Sequence, residues 1–122
     1  MLPIIVVDDD PFVAEVMGIS IEEGGYPAPE IFTNPREVLS WAARNSAPFV
    51  LFTDYRMPRM NGIDLIEELH RLGGLLHAVI VTGAPECLEN TCSDVTILEK
   101  GGPDFADRLC RELKKAHDLC TA

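Results

Sequence analysis

The chain has 122 residues, the size of one domain able to bury roughly two-thirds of its unfolded surface. Lys plus Arg total 10 against 20 for Asp plus Glu, and the net charge of -10 argues against a chain that holds nucleic acid or anionic lipid by itself; a metal cation or a basic partner fits better. A hydrophobic fraction of 47% is ordinary for a globular protein, and the longest apolar runs are far too short to span a bilayer.

Strand-like and helix-like segments alternate along the chain. Ile4 to Val7 is an apolar, β-branched run that stops at Asp8, Asp9 and Asp10. Pro11 then opens a helix, because the N–H it lacks would have no partner there. From Phe12 to Glu23, Val13, Val16, Met17 and Ser20-Ile21 recur at helical spacing, and Gly24-Gly25 ends the run. Ile31-Phe32, flanked by Pro27 and Pro29, predicts a short strand at a sheet edge, where N–H donors are dispensable. Asn34-Pro35 repeats the cap-and-proline signal before a helix with Val38, Leu39, Trp41 and Ala42 on its inner side.

The continuous apolar run Phe49 to Phe52 predicts a strand buried on both faces, and it leads into Asp54. Pro58 and Asn61-Gly62 then force turns, so Asp54 is presented on a rigid loop. A helix is predicted from about Ile63 to Leu72, ending at Gly73-Gly74, followed by a buried strand from His77 to Val81 that finishes at Thr82, Gly83 and Ala84. After a less regular segment, Val95 to Leu98 predicts a fifth strand before Lys100 and Gly101-Gly102. The last helix starts near Asp104 and carries Phe105, Leu109, Leu113 and Ala116 on one face. The sum is an α/β fold of (βα)5 type, a doubly wound parallel sheet covered on both faces, with one weak helix.

Asp8 or Asp9, Asp54, Thr82 and Lys100 each stand just past the end of a predicted strand. In a doubly wound sheet those ends lie along one edge, in the crevice where such folds place their chemistry. Clustered carboxylates repel one another unless a cation compensates, and an all-oxygen set suits Mg2+, which keeps several waters and accepts phosphate oxygens. A carboxylate beside Mg2+, a lysine and a hydroxyl can attack phosphorus, giving an acyl phosphate with no general base required. Plainer readings exist for each residue: helix-start acids favoured by the macrodipole, which suits Asp10 best, a turn-initiating Asp54, a strand-ending Thr82, a solvated Lys100. Taken jointly at the ends of separate strands they are harder to dismiss. His70, His77 and His117 show no ligand spacing.

Four segments, VVDDDP at 6–11, DYRMPRMNG at 54–62, VTGA at 81–84 and LEK at 98–100, resemble the receiver domain of bacterial response regulators, in the right order and over nearly the whole chain. The resemblance implies a flavodoxin-like five-stranded sheet of order 2-1-3-4-5 and a phosphoryl group donated by a sensor histidine kinase or phosphotransfer protein. It implies Asp54 as the acceptor, Asp8 and Asp9 as the acidic pair that holds Mg2+, Asp9 directly, and the Arg56 carbonyl as a backbone metal ligand. Thr82 and Lys100 would contact the bound phosphoryl oxygens. Such a protein is not an enzyme that turns over a substrate. It is a phosphoacceptor that catalyses its own phosphorylation and dephosphorylation and signals, in the cytoplasm, through altered contacts with a downstream protein.

The chain departs from that family's pattern in three places. Only residues 83 to 94 separate Thr82 from the fifth strand, and a three-turn helix alone takes roughly eleven residues. The fourth helix is therefore expected to be a short turn around Pro85 to Asn90, or missing. Ile97 occupies the strand-five position where the family often carries an aromatic switch residue, and Gly101 stands where a proline commonly follows the lysine. The output is accordingly expected through a face other than the usual fourth-helix surface, the first helix being one candidate. Arg56 and Ala84 stand where some relatives carry acids or amides that orient a hydrolytic water, which implies a persistent acyl phosphate.

Cys87, Cys92, Cys110 and Cys120 match neither a paired metal-site spacing nor a thioredoxin-type motif, and Met1 leads directly into a strand-like run with no secretory signal. Free thiols in a reducing cytoplasm are expected. Residues 1–122 are expected to form a single receiver domain, either standing alone or cut from a longer chain. Two rival functions remain: a phosphorylation-independent receiver-like binding module, and a phosphohydrolase of the haloacid dehalogenase type. For the latter, Asp8-Asp9-Asp10 supplies a D-x-D pattern, but Phe12 stands where that motif wants Thr or Val.

Overall fold

Nine elements follow one another in a computed structural model that describes residues 2–45, 47–85 and 95–121. They are β1 (Ile4–Val7), α1 (Pro11–Glu23), β2 (Glu30–Phe32), α2 (Pro35–Arg44), β3 (Phe49–Asp54), α3 (Gly62–Leu72), β4 (Leu75–Thr82), β5 (Thr96–Glu99) and α4 (Phe105–Thr121). All strand pairs are parallel and the order is β2-β1-β3-β4-β5, the doubly wound arrangement expected from the chain. The proposed turn at Pro85 to Asn90 lies almost wholly outside the described residues, as do Cys87 and Cys92. Cys110 and Cys120 are free thiols.

Alternation along the central strands divides the core in two, because successive side chains of a strand point to opposite faces. Ile4, Val6, Val50, Phe52, Val79 and Val81 face α1 and α4, where Met17, Ile21, Leu109 and Leu113 cover them. Ile5, Val7, Phe49, Leu51, Ala78 and Ile80 face α2 and α3, meeting Val38, Ala42, Leu65 and Leu69. Trp41 adds an edge-on contact to the ring of Phe49, with centroids 5.1 Å apart. Because β1 and β3 are buried on both sides, their C-terminal ends are held by core packing and not by loops.

The helices begin where the sequence signals them. Asp10 caps α1 through the N–H of Phe12, Asn34 caps α2 through that of Arg36, and Asn61 caps α3 through that of Asp64. One expectation fails on α1. The buried residues are Ala14, Met17, Gly18 and Ile21, whereas Val16 is exposed. A Cβ on Gly18 would lie 2.9 Å from Ile31 Cδ1, the tip of a flexible side chain on the edge strand β2, which would have to shift to admit it.

Opposite the functional edge, α4 is fastened to the sheet by a buried acid. Glu112 Oε1 lies 2.8 Å from His77 Nε2 on β4, Oε2 accepts a hydrogen bond from Lys115 Nζ at 2.8 Å, and Thr96 of β5 also bonds to the carboxylate. Burial pushes the Glu112 pKa up, but the bonds from Lys115, His77 and Thr96 together outweigh it and hold the group below its ordinary value of 4.5. A lowered pKa stabilises the fold above pH 4.5, and that stability is lost as the pH falls through the depressed folded value. Urea unfolding at a series of acid pH values is expected to show wild type losing more stability than Glu112→Gln. Parallel curves for the two proteins would show that the carboxylate is not held in this way.

Candidate functional site at the strand ends

The register places the site. Val7 pairs with Thr53, Asp54 with Val81, and Thr82 with Glu99, so residues 8, 54, 82 and 100 emerge side by side at the carboxyl edge of the sheet. Asp8 is 1% exposed and its Oδ1 accepts the N–H of Asp10 at 2.9 Å. That turn frees Asp10 for the α1 cap and leaves Asp9 exposed. Oxygens of Asp8, Asp9 and Asp54 all lie within 4.8 Å of one another.

Asp54 is fixed from behind. The Thr53 hydroxyl donates to the Asp54 carbonyl at 2.9 Å, and the N–H of Gly62 donates to Tyr55 O at 2.8 Å. The start of α3 thus sits against the strand end so closely that a Cβ on Gly62 would fall 2.6 Å from Asp54 O. The sequence marked Gly62 as a turn residue but gave no sign of this contact. Within the intervening loop Arg59 has φ +74°, a left-handed conformation that costs a side-chain-bearing residue about 1–2 kcal/mol.

Lys100 closes the cluster. Its Nζ lies 3.0 Å from Asp8 Oδ2 and 3.2 Å from Asp54 Oδ1. Burial alone would lower the lysine pKa, but hydrogen bonding to Asp8 and the charges of Asp54 and Asp8 raise it, so it remains an ammonium. Asp54 is raised above its ordinary 3.8, first by burial and then by the Asp8 charge, with Lys100 pulling the other way. Thr82 is buried; its Oγ1 accepts the N–H of Ala84 at 3.2 Å, and its carbonyl accepts the N–H of Lys100 at 2.8 Å. Arg56 lies on the exposed loop just beyond Asp54. Gly101 has φ +79°, which proline cannot adopt, so the lysine loop follows a glycine path.

The donor set fits a hard divalent cation. Three carboxylates converge, one of them the buried Asp8, whose Oδ2 faces the Lys100 ammonium at 3.0 Å. Beside the cluster, Phe12, Val13, Val16, Met17 and Phe105 line a shallow apolar groove that reaches Lys100. Phe12 is 71% exposed, and with Val16 and Ile19 it forms an outward stripe along α1.

The sequence pattern of the response regulator receiver domain matches residues 4–106. The chain belongs to that family. This receiver domain is similar to the response regulator MprA of Mycolicibacterium vanbaalenii, 29% identical over 102 residues that cover 84% of this chain and 42% of that protein. The chain thus spans under half the length of that relative. Its fold is that of a CheY-like receiver domain from Methylobacillus flagellatus, with a TM-score of 0.81 at 21% identity, covering 95% of this chain and 98% of that one. The receiver domain of the hybrid histidine kinase CckA superposes with a TM-score of 0.75 at 23% identity, covering 93% of this chain and 97% of that one. Membership places the chain among the receivers of two-component systems, with an acidic cluster able to hold a metal ion. Among the described residues no helix is long and apolar enough to cross a membrane.

Proposed function

We propose that this receiver accepts a phosphoryl group on Asp54 from a phosphohistidine of a sensor kinase or phosphotransfer protein, and passes the signal on through changed protein contacts. The observation that carries this reading is the convergence of Asp8, Asp9 and Asp54 on one point with Lys100 bridging two of them. An Asp54 carboxylate oxygen attacks phosphorus as the P–N bond of the donor breaks; the imidazole leaves with that electron pair, and the product is an acyl phosphate. Lys100 turns its charge to a phosphoryl oxygen. Thr82, whose oxygen already accepts from Ala84, keeps its hydroxyl proton free to donate to another. Mg2+ held by Asp8, Asp9, Asp54 and the Arg56 carbonyl would supply further positive charge against that building on the equatorial oxygens.

Incubation with acetyl phosphate and Mg2+, read by intact mass, tests the reading. One added phosphoryl group that requires Asp54 is expected. A protein that keeps its mass while still binding a partner would be a phosphorylation-independent module. Once formed, the acyl phosphate is expected to persist for minutes or longer, because Arg56 and Ala84 offer no acid or amide beside Asp54 to orient a water. Decay within seconds in a pulse of radiolabelled phosphoryl donor would refute that expectation.

A further inference from the structure

The loop that carries Lys100 has little rigidity of its own. Gly101 and Gly102 follow the lysine with φ of +79° and +92°, and glycine loses more conformational freedom on ordering than any other residue. Yet the ammonium must stay between two carboxylates. The backbone around it is held from α4, by a residue eight positions on in the chain whose side chain turns back over the loop.

Arg108 Nη1 donates to Glu99 O at 3.0 Å and Nη2 donates to Gly101 O at 2.6 Å. The two carbonyls flank Lys100 on either side. The Glu99–Lys100 peptide is therefore pinned at both ends, its carbonyl by Arg108 and its N–H by Thr82 O at 2.8 Å. The guanidinium is itself fixed: Nε lies 3.3 Å from Asp104 Oδ1, and its carbon sits 5.6 Å from the Phe105 ring centroid. The Arg108 side chain is 21% exposed, although its Asp104 partner is 60% exposed and both carbonyl contacts lie at the surface.

We infer that Arg108 is a positioning residue for Lys100, a guanidinium fork that spans the lysine's two flanking carbonyls and stands in for rigidity that the Gly101-Gly102 loop lacks. The fork matters more than the charge, because Nη1 and Nη2 are held apart in one rigid plane and each reaches its own carbonyl, whereas an ammonium donates from a single point at the end of a flexible stem. This assignment deepens the phosphoacceptor reading above, but its first test does not depend on that chemistry.

The test compares wild type with Arg108→Lys, which keeps the charge and the aliphatic stem, and with Arg108→Ala. In the metal-free protein, an immobilised Lys100 has two inequivalent ε-methylene protons, resolved by NMR on lysine-labelled material and assigned by Lys100→Arg. Both Arg108 variants are expected to merge them, while backbone amides of β1 and β3 keep their shifts. In the acetyl phosphate assay the same variants are expected to accept phosphoryl about tenfold more slowly, less than the roughly 100-fold that a full 1 Å misplacement of a reacting group can cost. Should Arg108→Ala fail to fold, Arg108→Lys alone decides. Lys100 protons that stay resolved in Arg108→Lys would overturn the inference. If wild type takes up no phosphoryl group, the functional reading fails, and the NMR comparison still decides the role of Arg108.

Discussion

Replacing Asp54 with asparagine is expected to abolish phosphoryl uptake and, at the same time, to raise the thermal stability of the metal-free protein. The first outcome follows from chemistry, since an amide oxygen is no nucleophile towards phosphorus under conditions where a carboxylate is. The second follows from electrostatics. Burial, and then the Asp8 charge, raise the Asp54 pKa above 3.8, so the folded state disfavours the charged form that pH 7 imposes. A group whose folded pKa is raised contributes stability below its unfolded pKa and loses it as the pH rises through the folded one. Wild-type and Asp54→Asn melting temperatures, measured in EDTA, are therefore expected to converge as the pH falls towards 3.8 and to separate as it rises, with the variant higher. A variant that melts lower than wild type at neutral pH would show that Asp54 is stabilising, and would remove the strain that this site holds in readiness for a cation.

The parts of this architecture that the sequence displayed are those governed by local rules. Apolar runs leading to Asp8, Asp54 and Thr82, and caps at Asp10, Asn34 and Asn61, set the elements and brought the strand ends to one edge. Boundaries moved by only a residue or two, as when β4 began at Leu75 and β5 at Thr96. What stayed hidden depends on three-dimensional approach. Helical spacing favoured Val16 as an inner residue of α1, but Ala14, Met17, Gly18 and Ile21 take the inner face and Val16 is exposed. The closeness of Gly62 to Asp54 O and the reach of Arg108 across the Lys100 loop carry no motif, because each joins residues whose separation in the chain says nothing about their contact. Ile97, in place of an aromatic switch, packs into the cluster beneath α2 and α3 and offers no polar group to a Thr82 relay.

Lys100→Ala is expected to have the largest effect on phosphorylation of any change outside the acceptor itself. Removing one preorganised charge from a transition state typically costs about 100- to 1,000-fold in rate, and the Lys100 ammonium stands 3.2 Å from Asp54 Oδ1. The same substitution also changes the resting protein. With the ammonium gone, Asp8 and Asp54 face each other without compensation, and Asp54 loses what pulls its pKa down. Lys100→Ala is therefore expected to destabilise the metal-free fold at neutral pH, and to do so less when Asp54 is already asparagine. The two substitutions should couple by about 1 kcal/mol in a double-mutant cycle measured by urea unfolding. Additive effects would mean that Lys100 acts through Asp8 alone. The rate loss would then have to arise only after the phosphoryl group arrives, which a normal Mg2+ affinity in Lys100→Ala together with slow acetyl phosphate turnover would reveal.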